Sequence, residues 1–194
     1  AVVSSLVCSG ISFEKACGAI SGLTHPQGRL QKVRSLFRRS VYVDYAHTPD
    51  ALKSVLATLK GLVQFDGRLI TVFGAGGDRD KNKRPMMGNV VLDYSDIAIV
   101  TSDNPRYEDP LEICEAIVVG NKNRFMVDLD RRSAIRRAID LSGEADIVLI
   151  AGKGHEKYQE VAGKRFSFDD YSEAESYLND MYSGSIKHEG CLNV

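Results

Sequence analysis

RLITVFGAGGDRDKNKRP, residues 68–85, opens with the apolar run Leu69-Ile70-Thr71-Val72-Phe73 and then turns abruptly to glycine and charge. A run this short, apolar without alternation, suits a strand covered on both faces, as in a parallel sheet flanked by helices. The pattern recurs in VYVDYA at 41–46, DIAIVTSD at 96–103 and DIVLIAGKG at 146–154. Helical patterns fill the intervals. The spacing predicts helices over 49–62, 85–94, 110–119 and 131–141. Thr48 is placed to cap the first, and Pro49, Pro85 and Pro110 fall in first turns, where a missing N–H costs nothing. A last amphipathic segment at 170–182 closes the chain's regular part, and the alternation makes the fold class α/β with a mostly parallel sheet.

The 194 residues, 43% hydrophobic and 26% charged, suit one compact domain and exclude disordered and collagen-like classes. Twenty-five Lys and Arg against 26 Asp and Glu leave a net charge of -1, so no bulk field favours nucleic acid or an anionic membrane. Any anion must be caught locally. Cys8, Cys17, Cys114 and Cys191 are scattered without a CxxC pair, which points to free thiols in a reducing compartment and away from structural zinc. The first three fall in helical patterns that predict small buried hydrophobes. Residues 1–19 read as one or two short helices, and 22–31 as a turn-rich connection at a domain boundary. The opening stretch lacks a basic leader and membrane-spanning length, so a cytoplasmic protein is expected. It starts without Met inside an apolar helical pattern, as part of a longer chain would. Residues 183–194 have no apolar period and read as a flexible tail.

Ligands of open parallel sheets collect beyond the carboxyl ends of the strands. Four polar segments fall there, and they are expected to converge on one rim. GAGGDRDKNKRP offers backbone approach at its glycines and Arg79, Lys81, Lys83 and Arg84 as cations. It is neither a GxxxxGK[ST] phosphate loop nor a GxGxxG fingerprint, so an anion site and a glycine-rich turn with a solvated basic face both remain open. In DNPR, Arg106 could take a carboxylate and Asp103 an ammonium, or Asp103 and Asn104 could simply close an Asx-turn. His47 and His155 lie at strand ends with no nucleophile placed beside them, which favours hydrogen bonding or stacking. The arginines of the 131–141 helix, Arg131, Arg132, Arg136 and Arg137, read as a solvated face.

Together DYAHTPDAL at 44–52, GAGGDRDKNKRPMMG at 74–88, TSDNPR at 101–106 and AGKGHEKYQ at 151–159 resemble the C-terminal domain of the Mur ligase family, over roughly residues 1–180. The resemblance implies a Rossmann-like sheet at 25–182, preceded at 1–24 by a helical remnant of the family's central ATP-binding domain. It implies an ATP-dependent amide-forming ligase of peptidoglycan precursor synthesis, in which a substrate carboxylate is phosphorylated and the acyl phosphate is attacked by an amine. By motif, Arg79, Asp103, Asn104, Arg106, Gly152 and Glu156 match positions that hold the incoming amino acid. Arg29, Asp44 and His47 match the nucleotide side, with a hinge through the turn around Arg29. The chain reads GRLQ there, where the family commonly has GRME. The DNPR form is similar to members that add meso-diaminopimelate to the UDP-N-acetylmuramoyl dipeptide; lysine-adding relatives tend to lose that arginine. The sequence contains no GTNGKT-like loop, carbamylated-lysine region or magnesium ligands. ATP, Mg2+ and the N-terminal and central domains are therefore the expected partners, no catalytic or metal-binding residue is assigned within the 194, and they are expected to be inert alone. A lysine-adding ligase, a folylpolyglutamate-synthetase-like ligase and a non-catalytic amino-acid-binding module are the alternatives.

Overall fold

The computed structural model describes residues 2–20, 26–36 and 38–190. Helices α1 (Val2–Cys8) and α2 (Phe13–Ile20) precede β1 (Gln31–Lys32), β2 (Ser40–Asp44), α3 (Pro49–Lys60), β3 (Leu69–Phe73), α4 (Lys83–Tyr94), β4 (Ile97–Val100) and α5 (Pro110–Ile117). A one-turn 3-10 segment at Lys122–Arg124 leads into β5 (Met126–Val127), α6 (Arg131–Leu141), β6 (Ile147–Ala151), β7 (Tyr158–Val161), β8 (Lys164–Ser167) and α7 (Asp170–Gly190).

The sheet runs β1-β2-β6-β3-β4-β5, parallel throughout except for β1 against β2. Strand β6, though late in the chain, lies between β2 and β3, so the winding direction reverses there. That is where an open α/β sheet forms a crevice. The register is shared across strands: Val41, Val148, Ile70 and Ile97 form one row. With Val43, Ile150, Val72 and Ile99 this row packs against Ala134, Ile135, Ala138 and Ile139 of α6 and Ala174 and Leu178 of α7. Leu69, Phe73, Leu149 and Val100 face the other way, onto α3, α4 and α5. Strands β3 and β6 are buried at every position, which is why their sequences are apolar without alternation. The expected α/β fold is thus present.

Local capping follows the sequence. Thr48 Oγ1 accepts from the Ala51 amide at 3.3 Å with Pro49 in the first turn of α3. Asp109 and Asp130 cap α5 and α6 in the same way. Three expectations need correction. Cys114 is buried, but Cys8 and Cys17 are exposed, because α1 buries no residue among those described and α2 turns only Ala16 inward among its described side chains; Cys191 lies outside the described residues. Helix α7 continues past 182 to Gly190: no proline interrupts it, and Ser183 Oγ bonds back to the Asn179 carbonyl. The tail expected from 183 is therefore helical as far as 190, and 191–194 lie outside the described residues.

The third correction concerns α6. Arg132, Arg136 and Arg137 are exposed as expected, but Arg131 is only 1% exposed. Standing at the helix start, it points under the carboxyl end of the sheet and forks the Asp170 carboxylate with Nε and Nη2, both at 2.7 Å. Nη2 also donates to the Ala151 carbonyl at 3.0 Å. Burial penalises the Arg131 charge, yet the adjoining Asp170 carboxylate holds its pKa above the ordinary value. The pair joins the first turns of α6 and α7 to the end of β6. Arg131→Met should lower unfolding free energy by about 3–5 kcal/mol in urea titrations, because Asp170 is left buried and alone, whereas Arg131→Met/Asp170→Leu should lose far less. Equal losses would show that burial of an unpaired charge is not the dominant cost.

Candidate functional site

Because Asp44 pairs with Ala151, and Phe73 with Val100, the strands end level and their following loops share one rim. Arg79, Asp103, Asn104, Arg106, Gly152 and Glu156, from three of those loops, line a single cavity of about 410 Å³, with His47 from a fourth. Gly76 forms part of its floor. A Cβ there would stand 3.0 Å from Arg106 Nη1 and 3.6 Å from Arg79 Cγ, so the two arginine side chains approach one another above that glycine.

The four cations of the GAGGDRDKNKRP segment divide into two classes. Arg84, buried, donates to both oxygens of Glu108 at 3.0 and 2.9 Å, and Lys81 reaches the same carboxylate at 3.1 Å. Glu108 also accepts the Asp78 amide at 2.6 Å, fixing the loop at the residue before Arg79. Arg79 and Lys83 are exposed on the rim, and no ion pair involves either among the described residues. The segment is therefore part brace and part cationic rim.

The DNPR loop is held from outside. Gln159 donates to the Asp103 carbonyl at 2.8 Å, and the Glu160 amide to Asn104 Oδ1 at 2.9 Å. The Arg106 amide bonds the Glu160 carbonyl at 3.0 Å, and Ala162 N returns a bond to Arg106 O at 2.6 Å. This β7–β8 hairpin clamp supports Arg106 in a left-handed backbone conformation, φ 53°. Its guanidinium donates to the Gly77 carbonyl at 2.7 Å and lies 3.8 Å from Glu160. Sequence reading did not foresee the hairpin.

Lys153 was likewise missed as a site residue. Its neighbours Gly152 and Gly154 have φ of 119° and 54°, and a Cβ on Gly152 would meet Asp103 Oδ2 at 2.6 Å. The glycines let the chain fold back and turn a fully buried lysine inward. Its Nζ donates to Asn104 Oδ1 at 2.8 Å and lies 3.7 Å from carboxylate oxygens of both Asp103 and Glu156. Asn104 Nδ2 in turn donates to Glu156 at 2.9 Å. Burial lowers the Lys153 pKa, with the Asp103 charge opposing the shift. A charged residue between two glycines at a strand end is the signal that could have found it.

Arg29 and Asp44 lie outside the cavity. The Asp44 carboxylate accepts the amides of Leu30 at 2.7 Å and Ala46 at 2.8 Å, so it ties the 26–30 turn to the strand end. Arg29 stacks over the Tyr45 ring at 5.0 Å, and His47 and His155 flank that ring at 4.6 and 5.2 Å. Together they form an aromatic and cationic surface beside the cavity mouth. Among the described residues no group of three or more His, Cys, Asp or Glu side chains is arranged to hold a metal ion, and no helix is long and apolar enough to cross a membrane.

Residues 28–154 match the family described as Mur ligase, glutamate ligase domain. The chain is 44% identical over 179 residues to UDP-N-acetylmuramoyl-L-alanyl-D-glutamate--2,6-diaminopimelate ligase of Chromobacterium violaceum, covering 92% of this chain and 36% of that protein. Against the Coxiella burnetii protein of the same name it is 48% identical over 180 residues, with the same 92% and 36% coverage. A solved structure of a protein of that name superposes with TM-score 0.75 at 42% identity, covering 93% of this chain and 37% of that one. The chain thus spans a little over one third of these relatives.

The Arg84–Glu108 brace carries a pH signature. Glu108 falls from an ordinary 4.5 to about 2, chiefly through the Arg84 hydrogen bonds. A depressed carboxyl stabilises the fold above its unfolded pKa, and that contribution disappears as pH drops through the folded value. Glu108→Gln should therefore show a shallower loss of stability than native protein between about pH 4.5 and 2 in urea titrations. Parallel curves would show that ionisation of Glu108 contributes nothing to the acid sensitivity of the fold.

Proposed function

The chain belongs to the Mur ligase family, and from that membership we propose that it is the amino-acid-presenting domain of an ATP-dependent ligase adding meso-diaminopimelate to UDP-N-acetylmuramoyl-L-alanyl-D-glutamate. The observation that carries the reading is the cavity that gathers Arg79, Arg106, Asp103, Glu156 and Gly152. It brings two guanidinium groups and two carboxylates to one cavity, the complement of an amino acid head bearing both charges. Diaminopimelate carries such a head at the end remote from its reacting amine; lysine carries only an ammonium. Arg106 is the residue that would tell them apart.

The chain's own groups act by binding and orientation. Arg79 and Arg106 hold the far carboxylate, Asp103 and Glu156 the far ammonium, and the other amine is left to attack the activated carboxyl of the dipeptide. ATP, when bound, supplies the phosphoryl group for that activation. The surface of Arg29, Tyr45, His47 and His155 fits the flat face of a nucleotide base. Asp44, with both oxygens engaged, serves this surface by holding the turn that carries Arg29. In this reading Mg2+ and the phosphate-binding loop are supplied by the ligase's other domains, and a soluble nucleotide substrate supports a cytoplasmic reaction.

In full-length protein, amino-acid-dependent ATP turnover should favour meso-diaminopimelate over L-lysine. Arg106→Ala should reduce kcat/KM for diaminopimelate by about 2–4 kcal/mol, a factor of roughly 30 to 1000, while leaving that for lysine little changed. Equal use of both amino acids by native protein would discard diaminopimelate as the substrate. The 194-residue chain alone should form no amide; ATP-dependent product from it would contradict its assignment as a presenting domain.

A further inference from the structure

Lys153 is not among the residues that face a substrate in the reading above, yet it is a fully buried charge beside the cavity. Its side chain has no exposed surface, against 6% for Asp103 and 20% for Glu156. Taking an ammonium out of water is costly, and a methionine of similar length would fill the same space without that cost. The lysine makes one hydrogen bond, to Asn104, and two close charge contacts, to Asp103 and Glu156. These three polar partners are cavity residues, and the Tyr158 ring, 5.6 Å from Nζ, lies outside the cavity lining. The neighbouring Arg131–Asp170 pair adds no net charge, although Arg131 also feels the Asp103 and Glu156 carboxylates.

We propose that Lys153 is the positioning and specificity-determining residue of the ammonium end of the cavity: it holds Asp103, Asn104 and Glu156 in place and reduces two carboxylates to one net negative charge. This rests on the reading of the cavity as an amino-acid site. One net negative charge complements one ammonium, so the pocket takes a single ammonium whose neighbouring carboxylate is met by the arginines. Two uncompensated carboxylates at this spacing would repel each other, take up a proton or attract a second cation, and each outcome weakens the fit to a zwitterionic head. The tilt of Asn104 is set by the same contact together with the Glu160 amide, which also donates to Oδ1. With Nζ donating to Oδ1, the amide must aim Nδ2 at Glu156, as observed at 2.9 Å.

The test uses full-length enzyme with meso-diaminopimelate and compares native protein, Lys153→Met, Glu156→Gln and the double variant Lys153→Met/Glu156→Gln. Lys153→Met should raise KM for the amino acid at least about tenfold while KM for ATP and for the nucleotide dipeptide, and kcat, change by less than about threefold. Glu156→Gln, which brings the net charge to zero, should also raise the amino-acid KM. The double variant restores one net negative charge and should have a lower amino-acid KM than Lys153→Met. An unchanged amino-acid KM in Lys153→Met, or a double variant as impaired as the product of the two singles, would overturn the proposal. If Lys153→Met does not fold, the double variant decides alone: an amino-acid KM within about tenfold of native supports charge balance, and a larger loss or failure to fold assigns the lysine to the fold only. Native protein whose ATP turnover ignores the amino acid would instead overturn the amino-acid reading of the cavity.

Discussion

Charge buried under the carboxyl ends of β4 and β6 is the constraint around which this domain is built. Arg131 and Lys153, neither reached by solvent, sit with Asp170, Asp103 and Glu156 where an α/β sheet opens its crevice. Each buried ion costs several kcal/mol of desolvation, and apolar residues of the same size commonly match or exceed the stability of a buried pair. Stability is therefore a poor explanation for them. Their geometry gives a better one: the Arg131 fork fixes the starts of two helices against Ala151, and Lys153 fixes an amide and two carboxylates that open onto the cavity.

The rest of the site follows from that anchorage. A shared register ends the strands level, and the 410 Å³ cavity forms where their loops meet. Two braces then set the loops that carry its arginines. The Arg84–Glu108 pair pins the amide of Asp78, next to Arg79, and the β7–β8 hairpin clamps the backbone of Arg106. The backbone that carries both arginines is thereby fixed, and the Arg106 guanidinium with it through the Gly77 carbonyl, which lowers the ordering cost of binding.

The strand-forming stretches were legible because burial on both faces leaves an unbroken apolar run, as in β3 and β6. So was the convergence of Arg79, Asp103, Asn104, Arg106, Gly152 and Glu156 on one rim, since each lies in a loop that follows such a run, while their assignment to an amino acid rests on the family resemblance. Other features were hidden for physical reasons. Arg131 shares its helix with Arg132, Arg136 and Arg137, and only the fold tells which of them turns inward to Asp170. The β7–β8 hairpin is half-buried at best and carries Lys164, Arg165 and Glu160, so it lacks the apolar run that reveals a strand. The hydrogen bonds by which Asp44 ties the Leu30 and Ala46 amides to the strand end are likewise invisible in one dimension.

The central claim is that this rim is a preassembled pocket for an amino acid carrying a charged head at its far end. It is tested most directly by a crystal structure of the full-length protein bound to meso-diaminopimelate. The account predicts the far carboxylate above Gly76 within hydrogen-bonding distance of Arg79 and Arg106, and the far ammonium against Asp103, Glu156 and the Gly152 carbonyl. An amino acid seated elsewhere, such as the open groove beside Lys32, Arg34 and Lys157, would contradict it.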